Sequence, residues 1–188
     1  MKSLWSYYQN LYNKEICESI IANCKPRLQW ANTISSAKKN IRKSKVCWIK
    51  HDDQKLGFIH RDFWLVMNHM NRDNFRLNVS NLPSIQFSEY SEDYEGCYNT
   101  HTDFHWASPS NFDYQRKISV VVQLSDPNSY EGGIFYFDDD DIVHPDYNLF
   151  KNQGTIFMFP SFLKHGVKPV TKGTRYSLVA WFEGPAWT

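Results

Sequence analysis

The stretch KISVVVQLSDPNSYEGGIFYF, residues 117–137, decides the expected fold of the second half of the chain. Residues 117–124 and 134–137 are rich in β-branched and aromatic side chains, which favour extended backbone. Between them lie Asp, Pro, Asn, Ser and two glycines, which are residue types that form turns. The stretch therefore predicts two short β-strands joined by an irregular connection.

The same pattern recurs on both sides of this stretch. Short β-type runs separated by turn residues occupy residues 85–90, 98–104, 155–159, 167–170 and 176–182. No segment with helical periodicity lies between them, so a parallel sheet of βαβ units is not expected. We predict an α+β, mainly β fold, with a double-stranded β-helix, or cupin-like jelly roll, of antiparallel strands.

The first part of the chain has helical periodicity instead. Apolar residues recur three or four positions apart in two groups. They are Leu11, Ile16, Ile20 and Ile21, followed by Phe63, Val66, Met67 and Met70. Because 188 residues suffice for one domain of ordinary size, we predict a single domain over residues 1–188. N-terminal helices at about 10–80 would support a jelly-roll core at about 83–183.

The composition limits the classes of function. Lys and Arg number 21 against 20 Asp and Glu, and this near balance gives no support to a nucleic-acid partner. No apolar run approaches the roughly 18 residues of a membrane span, and the N-terminus lacks a secretory pattern. The four cysteines show no C-x-x-C spacing, so we expect buried thiols rather than disulfides or zinc ligands. We expect a soluble, cytoplasmic protein without a membrane partner, and the oligomeric state stays open.

A His-x-Asp pattern is the main indication of a metal site. Side chains two apart on a strand point the same way, so the pair can supply two ligands to one ion. The pattern occurs four times, at His51/Asp53, His60/Asp62, His101/Asp103 and His144/Asp146. The first and last lie in polar loops, and the second opens a helical pattern, where the two side chains diverge. Only His101/Asp103 lies in the β-rich half, on the predicted strand 98–104.

The stretch HGVKPVTKGTR, residues 165–175, offers the third ligand and a cation. An iron oxygenase uses two histidines and one carboxylate on one face of the metal, and His165 would complete that set. We predict a hairpin with a three-residue loop at 171–173, whose Gly173 takes the left-handed conformation. Arg175 would then pair across from Pro169 and lie about 13 Å along the strand from His165. Its guanidinium could hold the far end of a short dicarboxylate.

These motifs together resemble the prolyl 4-hydroxylase-like branch of the Fe(II)/2-oxoglutarate dioxygenases, over about residues 40–182. The matching motifs are Y-x-x-H-x-D at 98–103, the strand and loop at 116–126, E-G-G at 131–133, residues 154–161 and H-x-V-x-P-V-x-x-G-x-R at 165–175. Residues 41–49 resemble the segment that borders the substrate groove in hydroxylases acting on proteins. Ser44 departs from the oxygen-sensing members, which have an acidic residue there.

The resemblance implies roles for individual residues. His101, Asp103 and His165 would bind Fe(II), and Arg175 would bind 2-oxoglutarate. Tyr90 resembles a pocket tyrosine that contacts this cosubstrate, and Gln123 stands at a comparable position. With O2 as the second cosubstrate, and with ascorbate allowed as an additional reductant, the reaction would hydroxylate a C–H bond and release succinate and CO2. The catalytic set is thus His101, Asp103, His165 and Arg175.

The substrate is less defined. Arg42, Trp48, Trp106 and Tyr114 could line a groove for an extended or acidic peptide. By resemblance the first expectation is a prolyl residue in a peptide or protein. Other protein side chains, free amino acids and small-molecule metabolites stay open.

Two other classes of function stay open at this point. One is a cupin-type metal-binding module or isomerase that does not use 2-oxoglutarate, and Arg175 is the residue that separates it from an oxygenase. The other is a structural protein in which the three ligand residues do not bind iron.

Overall fold

A computed structural model describes residues 3–31, 41–104, 114–140 and 142–187. Within these ranges lie three α-helices: α1 (Lys14–Cys24), α2 (Phe58–Met70) and α3 (Tyr147–Lys151). The strands there are β1 (Ser6–Tyr8), β2 (Gln29–Trp30), β3 (Arg42–Lys43), β4 (Lys45–Ile49), β5 (Ile85–Ser91), β6 (Cys97–His101), β7 (Gln115–Gln123), β8 (Tyr130–Gly132), β9 (Phe135–Phe137), β10 (Ile156–Pro160), β11 (His165–Val167) and β12 (Val170–Gly184).

The strands form two sheets in which every pair is antiparallel. The larger sheet has the order β1-β10-β7-β12-β5-β4-β2, with β8 added to the start of β12. The smaller sheet has the order β3-β6-β11-β9. Neighbouring strands are mostly distant in sequence, which is the topology of a jelly roll. The prediction of a mainly β, jelly-roll fold is confirmed.

The larger sheet is covered on both faces. Val120 and Val122 of β7 pack in a core with α1 and α2, whereas Val121 packs in a second core with β9 and β10. This alternation follows from the period of two residues along a strand. Because both faces are buried, three valines, Val120, Val121 and Val122, follow one another instead of alternating with polar residues.

The two predicted helices correspond to α1 and α2. The side chains of Cys17, Ile20 and Cys24 form the buried face of α1. All four cysteines are buried free thiols, as predicted. None of the helices in the described ranges is long and apolar enough to cross a bilayer.

The predicted hairpin after His165 is wrong. β11 and β12 lie in different sheets, and residues 171–173 continue β12 instead of forming a loop. They pair with β8, where Gly173 lies opposite Tyr130. Gly173 does have the predicted left-handed φ, of +69°. The local turn rule fails because pairing with a distant strand determines the backbone here.

This pairing also changes the register expected for Arg175. It lies opposite Tyr90 of β5 rather than opposite Pro169. The predicted strand 98–104 is also shorter, because β6 ends at His101. Asp103 lies outside the ladder of β6, and its backbone N–H donates to the carbonyl of Ser161 (3.0 Å).

Candidate active site

Three possible metal ligands meet at one end of the smaller sheet. His101 ends β6 and His165 begins β11, and the two residues are direct partners in the antiparallel ladder. Asp103 follows two residues after His101. One ligand atom from each residue lies within 4.8 Å of the others. The Asp103 carboxylate has the Nε2 atoms of His101 and His165 at 3.6 and 3.4 Å.

Backbone carbonyls orient both imidazoles. Nδ1 of His101 lies 2.8 Å from the carbonyl oxygen of Asn99, and Nδ1 of His165 lies 2.8 Å from that of Leu163. Because a carbonyl oxygen only accepts a hydrogen bond, each Nδ1 carries the proton. Each Nε2 therefore faces the Asp103 carboxylate. This is the arrangement that metal-binding histidines use.

The Asp103 carboxylate is kept in its charged form. Its burial, with 6% of the residue exposed, would by itself raise the pKa of the carboxyl. The imidazoles of His165 and His101 outweigh this and hold that pKa well below its usual range. The hydroxyl of Ser119 adds a hydrogen bond of 2.6 Å to Oδ2, and Ser161 lies 3.0 Å from that hydroxyl. Ser119 and Ser161 were missed by sequence reasoning, and a serine inside the apolar run of β7 was the available signal.

Arg175 faces the three ligands from the larger sheet. It is 3% exposed, and among the described residues it has no carboxylate partner. Nε donates to Oε1 of Gln123 (3.1 Å), and Nε2 of Gln123 donates to the phenol oxygen of Tyr130 (3.1 Å). The guanidinium lies 5.6 Å from the centre of the Tyr90 ring. Tyr90 and Gln123 thus lie beside Arg175, and Tyr130 was missed by sequence reasoning.

A narrow cavity between the two sheets connects these groups. His101, Asp103 and His165 line one side. Every second residue of β12 lines the other, namely Arg175, Ser177, Val179 and Trp181. The Ser177 hydroxyl and the indole N–H of Trp181 are buried without a hydrogen-bond partner among the described residues. Since buried polar groups are nearly always paired, these two groups are available to a bound molecule.

The four candidate substrate residues have different positions. Arg42 lines the cavity and lies 4.8 Å above the Tyr98 ring, which stacks on His101 at 3.6 Å. Trp48 lies just outside, with its ring 6.2 Å from that of Trp181. Tyr114 is 50% exposed and is not among the residues that line the cavity. Trp106 lies outside the described residues.

Arg116 was missed by sequence reasoning. Its guanidinium stacks 4.1 Å above the Trp181 ring, which lines the cavity. The contact joins β7 to β12 through side chains that no local sequence pattern connects. It places a further cation beside Trp181, in addition to Arg42 and Arg175.

The other His-x-Asp pairs have structural roles. His60 of α2 is buried, with Nε2 3.2 Å from the carbonyl of Ile49. Asp53 accepts backbone hydrogen bonds after a turn and pairs with Arg27 at 2.8 Å. Asp146 caps α3 by accepting from the backbone N–H of Asn148. Asp53 and Asp146 thus have structural roles, in a loop and at a helix N-terminus.

Comparisons with known proteins agree with this geometry. A PKHD-type hydroxylase from Crocosphaera subtropica is 30% identical over 120 residues, which are 62% of this chain and 51% of that protein. The chain spans about half the length, or less, of the curated relatives it matches.

The likeness to solved structures concerns the fold. A prolyl-4-hydroxylase from Pseudomonas putida has a TM-score of 0.73 and 21% identity, and the match covers 96% of this chain and 92% of that one. A Trichoplax adhaerens prolyl hydroxylase, solved with a hypoxia inducible factor peptide fragment, has a TM-score of 0.72 and 16% identity over 96% of this chain and 83% of that one. Residues 85–183, more than half of the chain, match the model of one family. The chain belongs to the 2OG-Fe(II) oxygenase superfamily.

Proposed function

We propose that this protein is an Fe(II)- and 2-oxoglutarate-dependent dioxygenase that hydroxylates a prolyl residue in a peptide or protein. The observation that carries the proposal is the placement of two imidazoles and one carboxylate opposite an arginine without a carboxylate partner, in one cavity. The superfamily uses Fe(II) and 2-oxoglutarate. A PKHD-type hydroxylase among the sequence relatives, and prolyl hydroxylases among the structural neighbours, support a prolyl substrate.

His101, Asp103 and His165 would hold the iron. Their donor set of two nitrogens and one oxygen fits Fe(II), and a site of three protein ligands leaves positions for other ligands. When bound, the iron would supply the chemistry that activates O2 for attack on a C–H bond. The backbone carbonyls of Asn99 and Leu163 would hold Nδ1 of each histidine, which leaves Nε2 as the atom that faces the metal, and the Ser119 hydroxyl would hold the carboxylate.

Arg175 would bind the distal carboxylate of 2-oxoglutarate. A guanidinium can donate two parallel hydrogen bonds to a carboxylate. Gln123 accepts from Nε, the Tyr130 phenol also hydrogen-bonds to the guanidinium, and no carboxylate among the described residues competes for it. Ser177, two residues along the same face of β12, offers a further donor. Tyr90, beside the guanidinium, closes this end of the cavity.

The opposite end of the cavity suits a proline. Tyr98 and Trp181 line it with aromatic side chains, which suit a residue without charge, and Arg116 stacks on Trp181. The indole N–H of Trp181 and the Arg116 guanidinium can donate to the carbonyl groups of a peptide. Arg42 and Trp48 extend this surface outwards. Tyr114 has no place in this proposal because it does not line the cavity.

Succinate release tests the reaction class. Purified protein with Fe(II) and 2-oxoglutarate should release succinate slowly, and faster with a suitable prolyl peptide that gains one oxygen atom. His165→Ala should abolish both signals. Arg175→Met should raise the KM for 2-oxoglutarate much more than it weakens metal binding. If the Arg175 variant requires no more 2-oxoglutarate than the wild type, the cosubstrate role is wrong and a cupin-type module becomes the better interpretation.

We also infer that the helices and both sheets form one domain in a reducing compartment such as the cytoplasm. α1 and α2 share a core with β5, β7 and β12, which supports a single folding unit. Four buried free thiols support a reducing environment. A single unfolding transition and four titratable thiols in the denatured protein are the expected results.

The near-neutral net charge of +1 supports a partner other than nucleic acid or a membrane.

A further inference from the structure

A second groove opens directly beside the cavity. It has a volume of about 410 Å³ and runs along β2 and β4, and it shares Arg42 and Gln86 with the cavity. Trp30 and Trp48 line it and are 59% and 46% exposed. Large exposed aromatic side chains next to a binding cavity are typical of surfaces that bind an extended partner.

The charge of this groove has one sign. Arg27 and Arg42 line it, and no carboxylate lies among its described lining residues. In a chain with a net charge of only +1, two lining arginines without a lining carboxylate are a local excess of positive charge.

The two arginines differ in their partners. Arg27 is already paired with Asp53 at 2.8 Å. Arg42 donates to the hydroxyls of Ser44 (2.6 Å) and Ser88 (3.5 Å), and among the described residues it has no ion pair. Two hydroxyls orient the guanidinium but leave its charge uncompensated. Arg42 is thus the cation that can pair with a ligand.

Arg42 also lies between the groove and the three possible metal ligands, because it lines both the groove and the cavity. Its guanidinium lies on the Tyr98 ring, and that ring stacks on His101. A carboxylate bound by Arg42 would therefore lie close to the residue that is oxidised. One arginine at such a junction suits a single carboxylate side chain better than a polyanion, which requires a row of cations.

We propose that this groove binds the segment flanking the target residue, and that Arg42 selects substrates with an acidic side chain close to that residue. The inference rests on the proposed function and names its substrate class as acidic peptides.

Short synthetic peptides with one central proline provide the test. A glutamate is moved through the flanking positions, and each peptide is compared with one that has glutamine or lysine at the same position. At one or two positions we expect glutamate to raise kcat/KM about tenfold over glutamine, the scale of one charge-assisted hydrogen bond. This advantage should shrink as salt is added, because Arg42 is only partly buried.

Two variants of neighbouring residues separate recognition from overall charge. Arg42→Gln should reduce the preference for glutamate over glutamine to about twofold or less, since the charged partner is gone. Lys43→Gln removes the same charge from β3, but Lys43 pairs with Glu95 at 2.9 Å. The Lys43→Gln variant should therefore keep the full preference for glutamate over glutamine. Melting temperatures and Fe(II) binding establish that both variants are folded.

The outcomes also separate this inference from the proposed function. Equal oxidation of glutamate, glutamine and lysine peptides would overturn the inference and leave prolyl hydroxylation intact. An equal loss of the glutamate preference in Arg42→Gln and Lys43→Gln would also overturn the inference. The same holds if single-stranded nucleic acid, added as a competitor, binds in preference to the peptides. If succinate is released but no peptide of any charge is oxidised, the peptide substrate itself is wrong, and the inference falls with it.

Discussion

Removing the hydroxyl of Ser119 should weaken iron binding without removing a ligand. Ser119 is fully buried and donates to Oδ2 of Asp103 at 2.6 Å, a short hydrogen bond to a charged and buried acceptor. Hydrogen bonds to charged groups contribute about 1.5–3 kcal/mol. Since 1.4 kcal/mol corresponds to a factor of ten, Ser119→Ala should lower the affinity for Fe(II) about 10- to 100-fold. Loss of an outer hydrogen bond to a metal ligand has effects of the same size in other proteins.

Anaerobic calorimetric titration with Fe(II), repeated with redox-stable Mn(II), measures this affinity. Ser161→Ala is the matched control, because its hydroxyl is equally buried but hydrogen-bonds, within the described part of the chain, to the Ser119 hydroxyl at 3.0 Å and not to Asp103. A neutral hydrogen bond contributes about 0.5–1.5 kcal/mol, so the control should lose at most about tenfold. The reasoning fails if Ser119→Ala binds the metal as tightly as the wild type, or if the two variants lose the same affinity.

Three further predictions concern Tyr130, His60 and Gly166. Tyr130→Phe removes the acceptor that holds Gln123 and should raise the KM for 2-oxoglutarate about threefold to tenfold with little change in kcat, measured by succinate release. Burial lowers the pKa of His60, with the carbonyl of Ile49 opposing this, so below about pH 6.5 the unfolded chain takes up a proton first. The free energy of unfolding, measured with urea, should therefore fall between pH 7 and 5, and fall less in His60→Gln. Gly166→Ala would place a Cβ atom 2.6 Å from a phenol oxygen and 2.8 Å from a backbone oxygen, so it should cost about 1–3 kcal/mol and lower the melting temperature by several degrees.

The strands and the ligand residues were predictable for different reasons. Residues 85–90 were recognisable because Ile85, Phe87 and Tyr90 are β-branched or aromatic, and β5 covers Ile85–Ser91. His101 and Asp103 could be singled out because other His-x-Asp pairs fell in loops or a helix. The backbone conformation around Asp103 was not predictable, since β6 ends at His101 and does not include Asp103.

Arg175 was identified as a site residue by the wrong route. The sequence suggested a local hairpin with His165, but the two residues come from different sheets and face each other across the cavity. The pairing of β12 with β5 and β7 joins segments many residues apart, and local turn chemistry contains no information about it. The stacking of Arg116 on Trp181 was hidden for the same reason.

The register of β12 links the site to the stability of the fold. On one face, residues 175, 177, 179 and 181 line the cavity, and on the other, residues 178, 180 and 182 lie in the core with α1 and α2. A shift by one residue would exchange the two faces. It would turn the Arg175 guanidinium away from Gln123 and towards the side of the sheet where Tyr176 packs against that core, which disfavours the shifted register. The buried arginine that we assign to the cosubstrate therefore also disfavours the alternative register, so its presence restricts the fold as well as the chemistry.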